Sequence, residues 1–407
     1  KTDGCCHSSR QTSAQASAEV KSSHTIWVSH GANFHQARVV DSITQAVLGA
    51  AVGEWLLGKK LGNRALAWGA AFGTLPDLDV VLSPFLDTAA KLWWHRGPSH
   101  SLLLMIAAAW FLSPWLAKLW RKEKVSRARA GWFVFAAWST HVLIDCFTVY
   151  GTLVFWPFSD VRIGFNHLFI VDPLFTLPML IALVRLAFLR TKKQIPQRRR
   201  INAWGLGIAS AYALLSIAMK FVASSGFDAD LDRRDAKVIR RMEAPTPFNI
   251  LLWRSVADCG DSLWIGYRTV FESKDTPVRW TIYPKDAHVV ENFGAAREVK
   301  ALRWFSNDWW IARDHVKGAW IADMRFGEIR NWGARKGMVD NCPLFAWDYR
   351  PDETHDKLRQ AGQATIDPSE TFKRLGLRII GQRDAWDANP RMIGATGQLP
   401  ETLAVEE

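Results

Sequence analysis

Apolar residues gather into six runs between Ser42 and Ala223, roughly 42–57, 65–82, 100–119, 131–150, 167–189 and 203–223, with charged residues collected between them. A helix needs about 20 mostly apolar residues to cross a bilayer, a length the last four runs meet. The first two are shorter and more polar. Each carries a glycine pair at four-residue spacing, Gly49/Gly53 and Gly69/Gly73. Small residues so spaced let two helices approach closely in lipid; chance glycine in an alanine-rich run is the alternative. Beyond Asp228 the pattern changes to short stretches rich in Trp, Ile, Val and Tyr. Examples are Ile250–Arg254, Ser262–Val270, Val278–Tyr283 and Asp308–Ala312, parted by Gly, Asp, Asn and Pro. That pattern predicts antiparallel strands. The expected architecture is an α-helical membrane bundle of about six segments over 40–225, a small β-rich domain over 226–350, and a polar tail over 351–407.

Residues 1–39 are polar and Ser-rich, without the apolar core of a signal peptide. Their composition predicts disorder. Val40-Asp41-Ser42-Ile43-Thr44 opens the first helix directly, so the preceding segment is expected to be upstream sequence, with the natural start at Val40.

The net charge of +12 raises nucleic-acid binding as a function. Its placement argues otherwise. Lys59, Lys60 and Arg64 follow the first run; Arg121, Lys122, Lys124, Arg127 and Arg129 follow the third; Arg190, Lys192, Lys193, Arg198, Arg199 and Arg200 follow the fifth. If all six runs span, these loops share one side, which the positive-inside rule assigns to the cytoplasm. The remaining loops and the C-terminal domain then face outward. Trp55, Trp93, Trp94, Trp110, Trp120, Trp132 and Trp156 stand near the ends of the runs, where indoles sit at headgroup level or pack as core. Cys5, Cys6, Cys146, Cys259 and Cys342 show no CxxC spacing, so neither a zinc ribbon nor a disulfide framework is indicated.

Ionisable groups at membrane depth are costly and need a partner or a task. Three sets map to the outward helix ends. Asp77 and Asp79 follow Pro76, which interrupts the second run; they offer hard oxygen ligands, or cap a turn. His95 and His100 flank Arg96-Gly97-Pro98-Ser99; they can bind one metal or neighbouring metals, or stand as interfacial histidines. Arg96 and the helix N-terminus there would attract an anion such as phosphate. His141 and Asp145 lie four apart and share one helix face, as a zinc ligand pair or an intrahelical hydrogen bond. Gln45, Glu54, Asp160, Arg162 and Asp172 are lesser candidates; Asp172, before Pro173, is a ligand, a partner to a ligating histidine, or a cap. A His/carboxylate set without Cys suits hydrolytic Zn or Mn sites, and its size admits two or three ions. No Gly-rich phosphate loop or GxSxG elbow is present.

Asp41-Ser42-Ile43-Thr44-Gln45, Leu75-Pro76-Asp77-Leu78-Asp79, His95-Arg96-Gly97-Pro98-Ser99-His100-Ser101 and His141-Val142-Leu143-Ile144-Asp145 resemble the bacterial inner-membrane metal-dependent hydrolase family of the YdjM/DUF457 type. Trp156-Pro157-Phe158-Ser159-Asp160 and Pro245-Thr246-Pro247-Phe248-Asn249 add to the likeness, which covers roughly 40–350. The resemblance implies a distant relation to zinc phospholipase C and P1 nuclease, hence a multi-zinc His/Asp site and phosphoester chemistry. It implies Asp77, Asp79, His95, His100, His141 and Asp145 as ligands. Gln45 departs from the pattern, since many members of the wider family carry His there.

The expected function is hydrolysis of a phosphoester, in a lipid or lipid-linked substrate, by metal-activated water. Asp77, Asp79 and His141 are the expected catalytic groups, and Arg96 and Arg162 the substrate-binding ones. Gln45 and Asp172 are secondary candidates. Two other readings stay open: a stress-response or binding membrane protein whose His/Asp cluster is structural, and an ion transporter.

Overall fold

A computed structural model describes residues 32–315, 318–330, 341–361 and 367–386. Most of the Ser-rich N-terminal segment and the last part of the polar tail lie outside the described residues. The helical part runs α1 (Ala32–Leu61), α2 (Asn63–Thr74), 3₁₀ turns over Leu75–Phe85, α3 (Thr88–Trp94), α4 (Leu102–Leu119), α5 (Arg127–Phe147), α6 (Pro173–Phe188) and α7 (Ile195–Arg233). Among the described residues, four segments are long and apolar enough to cross a membrane: Asn63–Phe85, Leu102–Leu119, Arg127–Phe147 and Lys192–Arg233; Pro173–Phe188 is shorter. Their outer faces fit lipid, with Ile106, Trp110, Phe111, Trp115 and Trp132 exposed. Trp120 is the exception among the run-end indoles. It is fully buried, edge-on to Trp68 and Phe133.

The paired glycines do pack two helices together. A Cβ on Gly49 would lie 2.4 Å from the Gly69 carbonyl oxygen, and one on Gly73 would lie 2.8 Å from Gly49 Cα. Backbone therefore meets backbone along α1 and α2, as expected of small residues in lipid. Gly69→Leu should force the helices apart and cost about 1–3 kcal/mol or more, read as a lower thermal midpoint of the purified protein. Gly207→Ala on α7, where a Cβ meets nothing within 4 Å, should be neutral or stabilising. Equal midpoints for Gly69→Leu and wild type would refute the packing account.

The three basic loops meet at one end of the bundle. Lys60 donates to the Lys124 carbonyl at 3.1 Å, Arg64 pairs with Glu123 at 2.6 Å, and Asn63 donates to the Ala187 carbonyl at 2.8 Å. At this end Arg198 of α7 holds Glu54 of α1 through both carboxylate oxygens, at 2.9 and 2.5 Å, with both side chains buried. Glu54 is thus a structural anchor between helices. The sixth apolar run does not stop near Ala223. Helix α7 continues unbroken for 39 residues, about 58 Å at 1.5 Å per residue, and its last turns lie under the β region.

That region comprises two four-stranded antiparallel sheets. The first orders β1 (Arg240–Pro245), β2 (Leu252–Asp258), β3 (Ser262–Thr269) and β4 (Thr281–Pro284); the second orders β5 (Trp310–His315), β6 (Gly318–Arg330), β7 (Asn341–Tyr349) and β8 (Leu358–Gln360). Short helices α8 (Ala287–Phe293) and α9 (Arg297–Phe305) connect the sheets, and α10 (Pro368–Ile379) follows. The sheets share a core of Leu252, Val256, Leu263, Ile265, Tyr283, Ile311, Ala322 and Met324, which Leu375 of α10 and Trp386 also enter. Part of the expected polar tail is therefore packed structure, because Leu375 and Trp386 give it an apolar side. Phe227 and Leu231 of α7 pack on Trp253, Trp264 and Trp280 beneath the first sheet.

Candidate metal centre

The centre forms at the bundle end away from the basic loops. Pro76 has no N–H for the carbonyl four residues back, and the chain passes from α2 into 3₁₀ turns that carry Asp77. Gly97 makes the next turn; a Cβ there would strike the Trp93 carbonyl oxygen at 2.6 Å. A 3₁₀ turn over Pro98–His100 then delivers His100. Helix α5 supplies His141 and Asp145 from one face, four residues apart.

These four side chains converge, with one ligand atom from each lying within 4.8 Å of all the others. His100 Nε2 lies 3.1 Å from His141 Nε2, 3.3 Å from Asp77 Oδ1 and 3.1 Å from Asp145 Oδ2. His141 Nε2 lies 3.4 Å from both carboxylate oxygens. A tetrahedral ion with arms near 2.0–2.1 Å places its ligand atoms about 3.3 Å apart. Five of the six edges of this set thus have the separations such an ion imposes.

Hydrogen bonding fixes where the imidazole protons are. His141 Nδ1 lies 2.6 Å from the Gly73 carbonyl, which can only accept, so Nδ1 carries a proton. Ser99 Oγ donates to Asp79 at 3.3 Å and so accepts from His100 Nδ1 at 2.9 Å. In the neutral rings both Nε2 atoms then present lone pairs to the cluster, as in metal-ligating histidines whose other ring nitrogen donates a hydrogen bond. Asp77 Oδ1 and Asp145 Oδ2 are buried, and both face the two Nε2 atoms at 3.1–3.4 Å. With both rings neutral, these two nitrogens and two carboxylate oxygens around one point fit a divalent cation. Ser99→Ala should therefore weaken metal binding about 10–100-fold with the fold intact, measured by competition with a fluorescent chelator; unchanged affinity would contradict this role.

The other expected residues surround the four. Gln45 Nε2 donates to Asp145 Oδ1 at 3.2 Å, so the departure from the family pattern positions a carboxylate. Arg96, expected to bind substrate, is 2% exposed and lies 3.2 Å from Asp145 and 3.4 Å from Thr148. Its burial makes it a counter-charge to the cluster. Asp79 and His95 stand beside the four and pair with each other at 3.3 Å; Asp79 also accepts the Arg96 backbone N–H at 2.9 Å. Burial outweighs the pull of Asp79 and holds the His95 imidazole below its usual value. Among the described residues, the structure gathers ligands for one ion rather than for two or three.

Asp172 caps α6, accepting from Leu174 and Phe175 N–H, and takes the Tyr212 hydroxyl at 2.8 Å. Asp160 is exposed, and its carbonyl accepts from Trp304 Nε1 at 3.1 Å. Arg162 donates to the carbonyls of Leu92, His95 and Gly151. Sequence reasoning missed three supports: Ser99, the Gly73 carbonyl, and Trp138, whose Nε1 donates to the Ser99 carbonyl at 2.9 Å. Ser99 lay in the quoted motif, and Trp138 precedes His141 by three residues, about one helical turn. The carbonyl left no sequence signal beyond Pro76.

A bundle of apolar helices with a His/Asp centre between them, carrying a β domain at the same end, defines a multi-pass membrane protein. Residues 40–223 match the family model described as YdjM inner membrane protein. Over 123 residues the chain is 30% identical to the inner membrane protein YbcI of Escherichia coli (strain K12), covering 30% of this chain and 69% of that protein. No solved structure matches the chain. The chain belongs to the YdjM inner membrane protein family. The family match ends in α7, so the two sheets lie beyond it, short of the 40–350 likeness read from motifs.

Proposed function

We propose that the chain is a membrane-bound, metal-dependent hydrolase acting on a phosphoester of a lipid or lipid-linked substrate. The observation that carries this reading is the near-tetrahedral convergence of two imidazole nitrogens and two carboxylate oxygens. Mixed imidazole and carboxylate donors favour zinc. When bound, such an ion supplies Lewis-acid stabilisation and lowers the pKa of a water toward about 7.

His100, His141 and Asp145 are the proposed holders, at 1% side-chain exposure or less, whereas Asp77 is 19% exposed. Catalytic zinc typically keeps three protein ligands and one open position. Asp77 is the most exposed of the four, which makes it the proposed proton acceptor rather than a permanent holder. Asp79 orients His95, which can return a proton to a leaving group. Gln45 and Arg96 hold Asp145, and Gly73 and Ser99 hold the imidazoles.

The phosphoester part rests on the distant likeness to zinc phospholipase C and P1 nuclease, and the lipid part on the membrane location. The basic loops, gathered at one end, belong to the cytoplasm by the positive-inside rule, which puts the centre and the sheets outside it. The zinc-loaded chain should release phosphate or a phosphorylated headgroup from an inner-membrane lipid extract, and His141→Ala should not. Stoichiometric metal without hydrolysis of any phosphoester in that extract would leave the cluster a structural site.

A further inference from the structure

Three arginines alternate with aromatic rings between the bundle and the sheets. The Arg96 and Arg162 guanidinium carbons lie 5.0 and 5.2 Å from the Tyr150 ring centre. Arg162 and Arg325 lie 5.3 and 4.8 Å from that of Phe305, and the Tyr150 and Phe305 rings meet edge to face at 5.1 Å. The outer two arginines have carboxylates: Arg96 has Asp145 at 3.2 Å and Arg325 has Asp323 at 2.6 Å. The central one pairs with none among the described residues, although the Asp79 charge acts on it from a distance. Among the described residues Arg162 meets backbone carbonyls and rings, and its Nε is buried without a hydrogen-bond partner. Burial pushes its guanidinium down to about 10, which still leaves it charged at neutral pH.

A cavity of about 170 Å³ opens onto this cation, lined by Tyr150, Arg162, Asn166, Trp304, Asn307 and Arg325. Asp160, an exposed residue, also lines it. A secluded cation is costly without a counter-charge, and guanidinium matches oxyanion geometry. Asn307 sits in left-handed backbone at φ 49°, a conformation Asn and Asp tolerate.

We propose that this cavity binds a phosphate group, with Arg162 as its principal partner and Asn307 at its edge. The site is separate from the metal centre and does not depend on it. Its source is free phosphate or the headgroup of a phosphate-bearing lipid.

The test uses the full chain, stripped of metal by a chelator so that phosphate has no ion to join. The chain is placed in phosphatidylcholine nanodiscs at fixed ionic strength. Inorganic phosphate should raise the thermal midpoint saturably. If only nanodiscs containing phosphatidic acid raise it, the source is the lipid headgroup. Arg162→Gln should weaken the response about 10–100-fold, the scale of a lost charge-assisted hydrogen bond. Asn307→Asp, which sets a carboxylate beside the cation while suiting the backbone, should weaken it comparably, and it decides the matter if Arg162→Gln does not fold. Failure of both phosphate and phosphatidic acid to shift the wild type would overturn the proposal, as would a wild-type response in a folded variant.

Discussion

Asp145→Ala should empty the metal centre and cost the fold about 3–5 kcal/mol together. The residue serves two partners at once. Its Oδ2 is one of the four converging ligand atoms, and its Oδ1 lies 3.2 Å from Arg96 Nη2. Both side chains are at most 2% exposed, so truncation leaves Arg96 secluded without its carboxylate. Loss of a ligand should exceed the 10–100-fold typical of an outer partner, so affinity should fall by more than about a hundredfold. The two effects separate in a double variant. Asp145→Ala with Arg96→Met should regain much of the stability, read by denaturant unfolding in detergent, without regaining metal. If Asp145→Ala keeps its metal, the assignment of Asp145 as a ligand is wrong.

Arg198→Ala should cost a similar 3–5 kcal/mol through a buried charge left alone, and should leave the centre intact. Glu54 lies nine residues beyond Gln45 on α1, about 13 Å along the axis. The Arg198 guanidinium also donates to Asn63 Oδ1 at 2.6 Å and to the carbonyls of Leu186 and Leu189 at 2.9 and 2.5 Å. One side chain thus ties α1, α2, α6 and α7 where the basic loops meet. Gly58 leaves the space for its partner, since a Cβ there would lie 2.4 Å from Glu54 Cδ. The folded fraction of Arg198→Ala should bind metal with wild-type affinity. A parallel loss of affinity would show that the two ends of the bundle are coupled.

Periodicity and spacing made much of this legible. The apolar runs gave the helices, the glycine pairs pointed to the α1–α2 contact, and short stretches rich in Trp, Ile, Val and Tyr between turn residues gave the strands. Asp77, His100, His141 and Asp145 stood in three short motifs that the structure brings together. The hidden parts depend on chain separation or on backbone. Glu54 and Arg198 are 144 residues apart, and Arg198 read as one more cytoplasmic charge. The Gly73 carbonyl is a backbone group, visible only once α1 and α2 bring it to His141. Arg96 looked like an anion-binding residue because its seclusion beneath Tyr150 is tertiary. The division of His95 and Asp79 from the other four likewise follows from the turn at Gly97, which points His95 to Asp79 and His100 into the bundle.

The most direct test is elemental analysis of the purified full chain, run beside His141→Ala at matched fold and thermal midpoint. The account predicts about one equivalent of divalent metal, zinc above others, in the wild-type chain, and a small fraction of that in the variant. A wild-type chain that takes up no stoichiometric metal, even after zinc is supplied, would contradict it.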